Sequence, residues 1–134
     1  MINSIELQKA IYSALSKEYK VFEIVPVANS FPYITIGEMS ESENFTKTDL
    51  NRFTFDITIH GWTVGQSSVK SKEQKDFIYR AMKNLTLTDI KVEQVTLELS
   101  QTFKEQGTDK DTIFHSVQEF GITINNKGDN TNGN

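Results

Sequence analysis

A regular alternation of apolar and polar side chains across residues 52–62 constrains the fold of this chain most strongly. Apolar residues occupy every second position from Phe53 to Ile59, and polar residues stand between them. Successive side chains of a β-strand point to opposite faces of its sheet, so the pattern predicts a strand with one buried and one polar face. Antiparallel sheets are commonly packed on one face and solvated on the other. We therefore expect a mostly antiparallel sheet with its core on one side.

A first amphipathic helix is predicted over residues 3–19, where apolar side chains recur at helical spacing opposite a polar face. Asn3 followed by Glu6 fits a capping box, and Ser4 is an alternative cap. The apolar stripe consists of Leu7, Ala10, Ile11, Ala14 and Leu15.

A second amphipathic helix is predicted to end near Leu85. Ser71 with Gln74 forms a possible capping box, although Ser68 could start the helix earlier. The apolar stripe consists of Phe77, Ile78, Ala81, Met82 and Leu85.

Four further strand regions are predicted, over residues 21–27, 31–37, 90–103 and 113–124. Pro26 limits the first region to an edge or irregular strand, because proline cannot donate a ladder hydrogen bond. Pro32 stands at the start of the second region, where a missing N–H does least harm. Val117 is out of phase with the later apolar positions of its strand, which predicts a bulge or a strand contacted on both faces.

The remaining segments are polar. Residues 38–50 are predicted to be a mobile loop, and residues 104–111 a turn or flexible loop. Residues 125–134 contain no apolar side chain and are predicted to be a disordered tail. Residues 1–124 are expected to form a single α+β domain. In that two-layer sandwich, two helices pack on one face of a sheet of four to five mostly antiparallel strands.

Residues that commonly carry out chemistry are sparse. The chain has no cysteine, which removes disulfides, thiol nucleophiles and the common structural zinc sites. The only histidines, His60 and His115, are far apart in sequence, and neither has neighbours that complete a metal site. Glu98 and Glu119 are predicted to be outward strand residues that could pair, with a solvated face as the stronger interpretation. We expect no enzymatic activity, no metal and no cofactor.

Charge and hydropathy exclude further classes. The net charge of −4 and the pI of about 5.2 argue against a dedicated nucleic-acid binder, whose phosphate contacts require a basic surface. No apolar run approaches the ~20 residues of a membrane span. The first residues lack the order of a signal peptide, so we expect the protein to be made and assembled in the cytoplasm.

The distribution of charge suggests an interface. Residues 38–49 hold four acids and one base, whereas residues 69–85 hold five bases and two acids. A head-to-tail contact could bring the acidic segment of one copy against the basic helix of the next, and repeated rotation would close a ring. An ordinary solvated loop and helix face is the alternative. The candidate interface residues are Glu41, Glu43, Asp49, Lys72, Lys75, Arg80 and Lys110.

Four segments, in this order and spacing, resemble those of phage tail-completion proteins. They are residues 5–12, residues 31–37 (Phe31-Pro32-Tyr33-Ile34-Thr35-Ile36-Gly37), residues 55–62, and residues 97–103 followed by 115–120. The resemblance extends from residue 4 to about residue 124. No single segment is diagnostic, and the match depends on all four together.

The resemblance implies a tail terminator of a siphovirus. Such proteins cap the finished tail tube and join the tail to the head, as a hexameric ring around the DNA channel. The implied partners are the tail tube protein, the connector (stopper) protein of the head, and further copies of the chain. DNA would be cargo only, no membrane would be involved, and the location would be the head–tail interface of the virion. The alternatives are a tube subunit, a head-side connector adaptor with a related ring-forming domain, or a small enzyme.

Overall fold

Five strands form one sheet, and two helices cover one of its faces. The computed structural model describes residues 2–26, 30–43, 52–107 and 111–126. In chain order the elements are α1 (Ile2–Leu15), β1 (Lys20–Phe22), β2 (Tyr33–Glu43), β3 (Arg52–Gly65), α2 (Val69–Lys83), β4 (Lys91–Gln106) and β5 (Thr112–Asn125).

The strands follow the order β1-β2-β3-β5-β4 across the sheet. β1 pairs with β2 in parallel, and every other neighbouring pair is antiparallel. The predicted α+β class with a mostly antiparallel sheet is therefore confirmed. β1 lies at one edge and ends before Pro26, in agreement with the limit that this proline sets. β4 forms the other edge.

The alternation in β3 places its apolar side chains in the core. Phe55, Ile57 and Ile59 are at most 1% exposed. The β3–β5 register sets Phe55 opposite Ile122 and Ile57 opposite Phe120, so the two central strands present adjoining apolar faces. Burying each such side chain stabilises the fold by about 1.5–3 kcal/mol. The helices add Leu7, Ile11, Leu15, Ile78 and Met82 to the same cluster.

β5 shows no phase change at Val117. Its pairing with β3 is continuous, and the register shifts lie in β4 on its other side. Strand alternation puts Val117 on the open face, and the core-face positions on either side of it hold the buried polar residues Ser116 and Gln118. The apparent phase change is a consequence of these polar core residues.

Two predicted loops begin later than the sequence suggested. β2 continues to Glu43, so residues 38–43 form a strand rather than a mobile loop, with Met39 opposite Ile57 and Glu41 opposite Phe55. β4 likewise continues to Gln106, which includes residues 104–106. The long partner strands extend each ladder through residues of low strand propensity, because pairing overrides local preference. The rest of the predicted 38–50 loop lies outside the described residues.

The helix boundaries also differ from those predicted. α1 begins at Ile2 and ends at Leu15, which places both Asn3 and Ser4 inside the helix and leaves residues 16–19 as a connection. α2 begins at Val69 with Ser68 as its N-cap, so the earlier of the two predicted starts is right. The Ser71–Gln74 capping box is wrong, because both side chains are buried against the sheet.

A polar seam separates the first half of α2 from the central strands. Five buried side-chain oxygens there have no hydrogen-bond partner among the described residues: Thr63 Oγ1, Ser71 Oγ, Gln74 Oε1, Ser116 Oγ and Gln118 Oε1. The two glutamines are nevertheless tied down, since Gln74 Nε2 donates to the Tyr33 carbonyl at 3.1 Å and Gln118 Nε2 to that of Lys75 at 3.3 Å. A Cβ at Gly61 would collide with Gln74 Oε1 and Ser116 Oγ. Glycine is therefore needed where the helix comes this close to β3.

We expect Ile57→Asp to abolish folding. Ile57 is 1% exposed in the core, and an unpaired buried charge destabilises a protein by about 3–5 kcal/mol, which is a large part of a typical domain stability. Circular dichroism and urea denaturation measure the effect. The matched control is Gln101→Asp, which adds the same charge to an exposed position of β4 and should leave the fold intact. A native-like Ile57→Asp protein would contradict the assignment of the buried face.

Candidate assembly surfaces

The open face of the sheet, opposite the helices, carries a row of rings. Tyr33, Trp62, His115 and Phe103 occupy directly paired positions on β2, β3, β5 and β4. The ring centroids of Trp62 and His115 lie 3.8 Å apart with planes 9° from parallel. Tyr33 stacks on the other side of Trp62 at 5.8 Å, and Phe103 lies 6.1 Å from His115. Cross-strand pairing builds this row, since its members come from four separate strands.

The two histidines, which the sequence left far apart, are in direct contact. His60 Nδ1 and His115 Nε2 lie 2.8 Å apart in a hydrogen bond, although 55 residues separate them along the chain. The β3–β5 register causes this contact, because it sets Trp62 opposite His115 and so makes His60 a diagonal neighbour. The expectation of two isolated histidines is therefore wrong. Sequence alternation put His60 and Trp62 on one face, but it could not supply the register.

Burial lowers the pKa of both imidazoles. Burial is the largest cause for His60, His115 adds to it, and Glu38 opposes it. For His115, burial outweighs the opposing charge of Glu105, whose carboxylate lies 3.5 Å from Nδ1. Low pKa values suit this pair, because one ring nitrogen of the hydrogen bond must be an unprotonated acceptor.

An open cleft of about 510 Å³ lies beside the histidine pair at the edge of β2. The one hydroxyl in its described lining belongs to Thr35, whose Oγ1 accepts a hydrogen bond from Trp62 Nε1 at 3.2 Å. A histidine base activates a hydroxyl or thiol with which it shares a hydrogen bond. The Thr35 hydroxyl forms no hydrogen bond with either histidine, so the described lining of the cleft holds no such pair.

Metal ligation and membrane crossing concern residues 2–26, 30–43, 52–107 and 111–126, the part of the chain that the structure describes. No group of three or more histidine, aspartate or glutamate side chains in these ranges could hold a metal ion. Among the helices of the same ranges, none has the length and apolarity needed to cross a membrane.

Three carboxylates gather on the open face. Burial raises the pKa of Glu98, and the hydrogen bond and charge of Asp56 and the charge of Glu119 raise it further. Gly121 leaves room for this arrangement, because a Cβ there would lie 2.5 Å from Glu98 Oε2. Glu98 and Glu119 thus lie close together as the sequence suggested, but as repelling like charges. This part of the open face disfavours anions.

The acidic interface candidates lie on a strand. Glu41 and Glu43 are exposed at the end of β2, where Glu41 is opposite Phe55 in the ladder with β3. Backbone pairing fixes their positions, which a mobile loop would not. Asp49 and Lys110 lie outside the described residues.

The basic candidates lie on α2. Lys72 is exposed, and Arg80 forms an ion pair with Asp76 at 3.0 Å one turn away. Lys75 Nζ donates to Thr102 Oγ1 of β4 at 3.1 Å. The acidic candidates therefore lie beside the β1 edge of the sheet, whereas Lys75 among the basic candidates reaches β4 at the other edge.

Comparisons with known proteins give consistent results. The model of a protein family described as Tail completion protein gp17 matches residues 8–125. The solved structure of bacteriophage SPP1 gp17 protein matches with 25% identity and a TM-score of 0.56, covering 94% of each chain. A chain of the virion of a native gene transfer agent particle matches with 16% identity and a TM-score of 0.71, covering 91% of this chain and 96% of that one, which shows a shared fold. A search of curated protein sequences found no match.

We expect the stability of the protein to fall as the pH decreases from 7.5 to 5.5, in part through the histidine pair. Both folded-state pKa values lie below the ordinary 6.5, so the unfolded chain binds more protons in this window. The stabilisation is complete above the unfolded pKa and is lost as the pH falls below it. Urea denaturation at several pH values measures the change.

His115→Phe is the comparison variant. Phenylalanine keeps a ring against Trp62 but cannot titrate, so the fall in its free energy of unfolding over the same window should be smaller. Every carboxylate away from position 115 keeps its surroundings in the variant, so the difference between the two profiles reports the substituted imidazole and the groups that contact it, His60 and Glu105. Parallel pH profiles for the two proteins would contradict this role of the pair.

Proposed function

Because the chain belongs to the family of tail completion proteins, and is thus a structural protein of the phage tail, we propose that it caps the tail tube and joins the tail to the head. The observation that carries this proposal is the family match over residues 8–125, nearly the whole folded part. The partners would be the tail tube protein and the connector protein of the head. Assembly would take place in the host cytoplasm, and the finished protein would lie at the head–tail interface of the virion.

A non-enzymatic role fits the chemistry of the described residues. In the cleft, neither histidine bonds to the Thr35 hydroxyl, and the clustered carboxylates lie on an open face. Catalytic carboxylates normally act in a site that holds their geometry and excludes water. The surfaces of this domain are better suited to contacting other proteins than to transforming a small molecule.

The charge distribution supports a ring of identical copies. Glu41 and Glu43 lie toward the β1 edge of the sheet, whereas the Lys75 side chain of α2 reaches the β4 edge. A contact between two different patches of the same molecule is heterologous, and such contacts close into a ring when the rotation allows it. The acidic end of β2 in one copy would face the basic side of α2 in the next. A hexamer is the number that the resemblance implies.

The open face of the sheet is the surface best suited to line a DNA channel through this ring. Asp56, Glu98 and Glu119 would repel the phosphate backbone, so DNA would pass without binding tightly. Outward bases on α2 would remain available for contacts between proteins. In this arrangement DNA is cargo rather than a ligand.

Electron microscopy of particles that lack this protein tests the proposal. Loss of a tail terminator should leave DNA-filled heads separate from over-long tails, because tube polymerisation is no longer stopped. Loss of a tube subunit would instead leave heads and no tubes. Loss of a head-side adaptor would leave tails of normal length. Fully joined virions would overturn the proposed function.

We expect Glu41→Lys with Glu43→Lys to impair attachment of the protein to isolated tails while the domain stays folded. Two exposed ion pairs at roughly 0.7 kcal/mol each amount to about tenfold in affinity. Attachment of the unchanged protein should also weaken as salt screens these charges. Sedimentation of tails with labelled protein measures the binding.

Two further variants make this result interpretable. Glu6→Lys with Glu18→Lys changes the net charge equally at exposed positions outside β2 and should bind normally. Adding Lys70→Glu and Lys72→Glu to the β2 variant should recover binding, since the reversed charges face each other again. Normal attachment of the β2 variant, or no recovery after the second reversal, would remove charge pairing from the proposal.

A further inference from the structure

β2 has an open edge over most of its length. β1 pairs only with Tyr33, Ile34 and Thr35, so no described strand covers residues 36–43 on that side. An unpaired edge presents backbone N–H and C=O groups that can accept another strand. These eight residues contain three glutamates and neither lysine nor arginine.

A groove runs along the open edge and onto α1. The cleft of about 510 Å³ at the β2 edge and a second cleft of about 330 Å³ beside α1 share Gln8 and Glu23 in their linings. The two clefts therefore adjoin at these side chains, and we call them together the β2 groove. Its lining includes residues 36–39 of β2, so a guest in the groove would lie beside the open strand.

One part of the β2 groove is apolar and exposed. Ile5 and Tyr12 line the smaller cleft and are 56% and 50% exposed, and Val25 lines the larger cleft and is 52% exposed. α1 already buries Leu7, Ile11 and Leu15 in the core, so these side chains are additional to its buried stripe. Clustered exposed apolar side chains beside a cleft are typical of a protein contact site.

The negative charge of the larger cleft favours a positively charged guest segment. Its lining holds the carboxylates of Glu23 and Glu38 and contains no lysine or arginine among the described residues, whereas the smaller cleft adds the single base Lys9. The two histidines in the lining do not offset these charges, because burial favours their neutral forms. Opposite charges placed across neighbouring strands stabilise their pairing, and like charges destabilise it.

We propose that the β2 groove binds an extended basic segment of a partner protein, which adds to β2 as a strand and seats an apolar side chain against Ile5 and Tyr12. The backbone edge provides hydrogen bonds that any sequence can make, and the pockets beside it provide specificity. The glutamates on the edge then attract a basic strand and repel an acidic one. This site lies at residues 36–39, next to the ring contact that Glu41 and Glu43 would make at the end of the same strand.

A second copy of this chain does not match the groove. The open β4 edge is extended but carries Glu93, Glu98 and Glu105 against Lys91 and Lys104, so its excess charge is acidic. The basic surface of the chain is on α2, and a helix cannot continue a ladder of strands. The guest is therefore a different protein.

Binding of a peptide to the isolated protein tests the proposal without tails or heads. The probe is an eight-residue acetylated and amidated peptide that alternates valine and lysine, and the comparison peptide alternates valine and glutamate. We expect the lysine peptide to shift the amide NMR signals of residues 36–39 and those of α1, and the glutamate peptide to shift neither. Shifts confined to other surfaces, or equal binding of both peptides, would overturn the proposal.

Matched variants locate the site. Tyr12→Ser with Glu23→Lys should weaken binding of the lysine peptide by about tenfold. The control, Tyr79→Ser with Glu73→Lys, makes the same changes at exposed positions of α2 and should bind as the unchanged protein does. Equal affinity of the two variants would overturn the assignment. Concentration-dependent shifts at residues 36–39 without peptide would identify a second copy as the occupant and overturn the choice of partner.

Failure of this experiment leaves the proposed joining function untouched, because that function is tested on particles. Success in the peptide experiment together with normal joining by the groove variant would place the partner outside head–tail joining. The two results are therefore distinguishable.

Discussion

The unbroken antiparallel ladder between β3 and β5 determines most other features of this domain. It runs from Arg52 opposite Asn125 to Gly65 opposite Thr112 without a register shift. Because side chains alternate along both strands, a slip of one residue would move every apolar side chain of one strand to the open face. The same register that joins Phe55 to Ile122 in the core also brings His60 beside His115 on the other face. A change of this register would therefore alter the core and the open face together.

The β3–β5 ladder also explains why the core face beneath α2 is partly polar. At the Gly61 end, the core face of β3 and β5 includes the buried polar side chains of Thr63, Ser116 and Gln118, and α2 meets it with Ser71 and Gln74. Buried polar groups without partners are costly, so this half of the helix gains little from packing. Contacts made by the other half of α2 offset this cost. The second half of α2 buries Ile78 and Met82, and Lys83 Nζ donates to the Val95 carbonyl at 2.7 Å.

Sequence reasoning succeeded where local pattern and tertiary structure agree. The alternation in β3 and the helical stripes identified the core face, the sheet and both helices. It failed where contacts with residues distant in sequence determine the local structure. Residues 38–43 have few strand-forming side chains, yet pairing with β3 holds them in β2. Ser71 and Gln74 fit a capping box by spacing, but the sheet buries them. The histidine contact depends on a register between strands that no local window contains, and the same is true of the row of rings.

A sheet with two open edges must avoid pairing with itself before assembly. Charged side chains on edge strands are a common defence, because an incoming strand of like charge is repelled. Both open edges here carry more acids than bases, so two copies of this chain discourage each other at the backbone. This protection against strand pairing is selective, because the same glutamates would attract a strand with basic side chains. One set of carboxylates can therefore keep free copies apart and still choose a partner. The surface that prevents premature association then also provides the specificity of recognition.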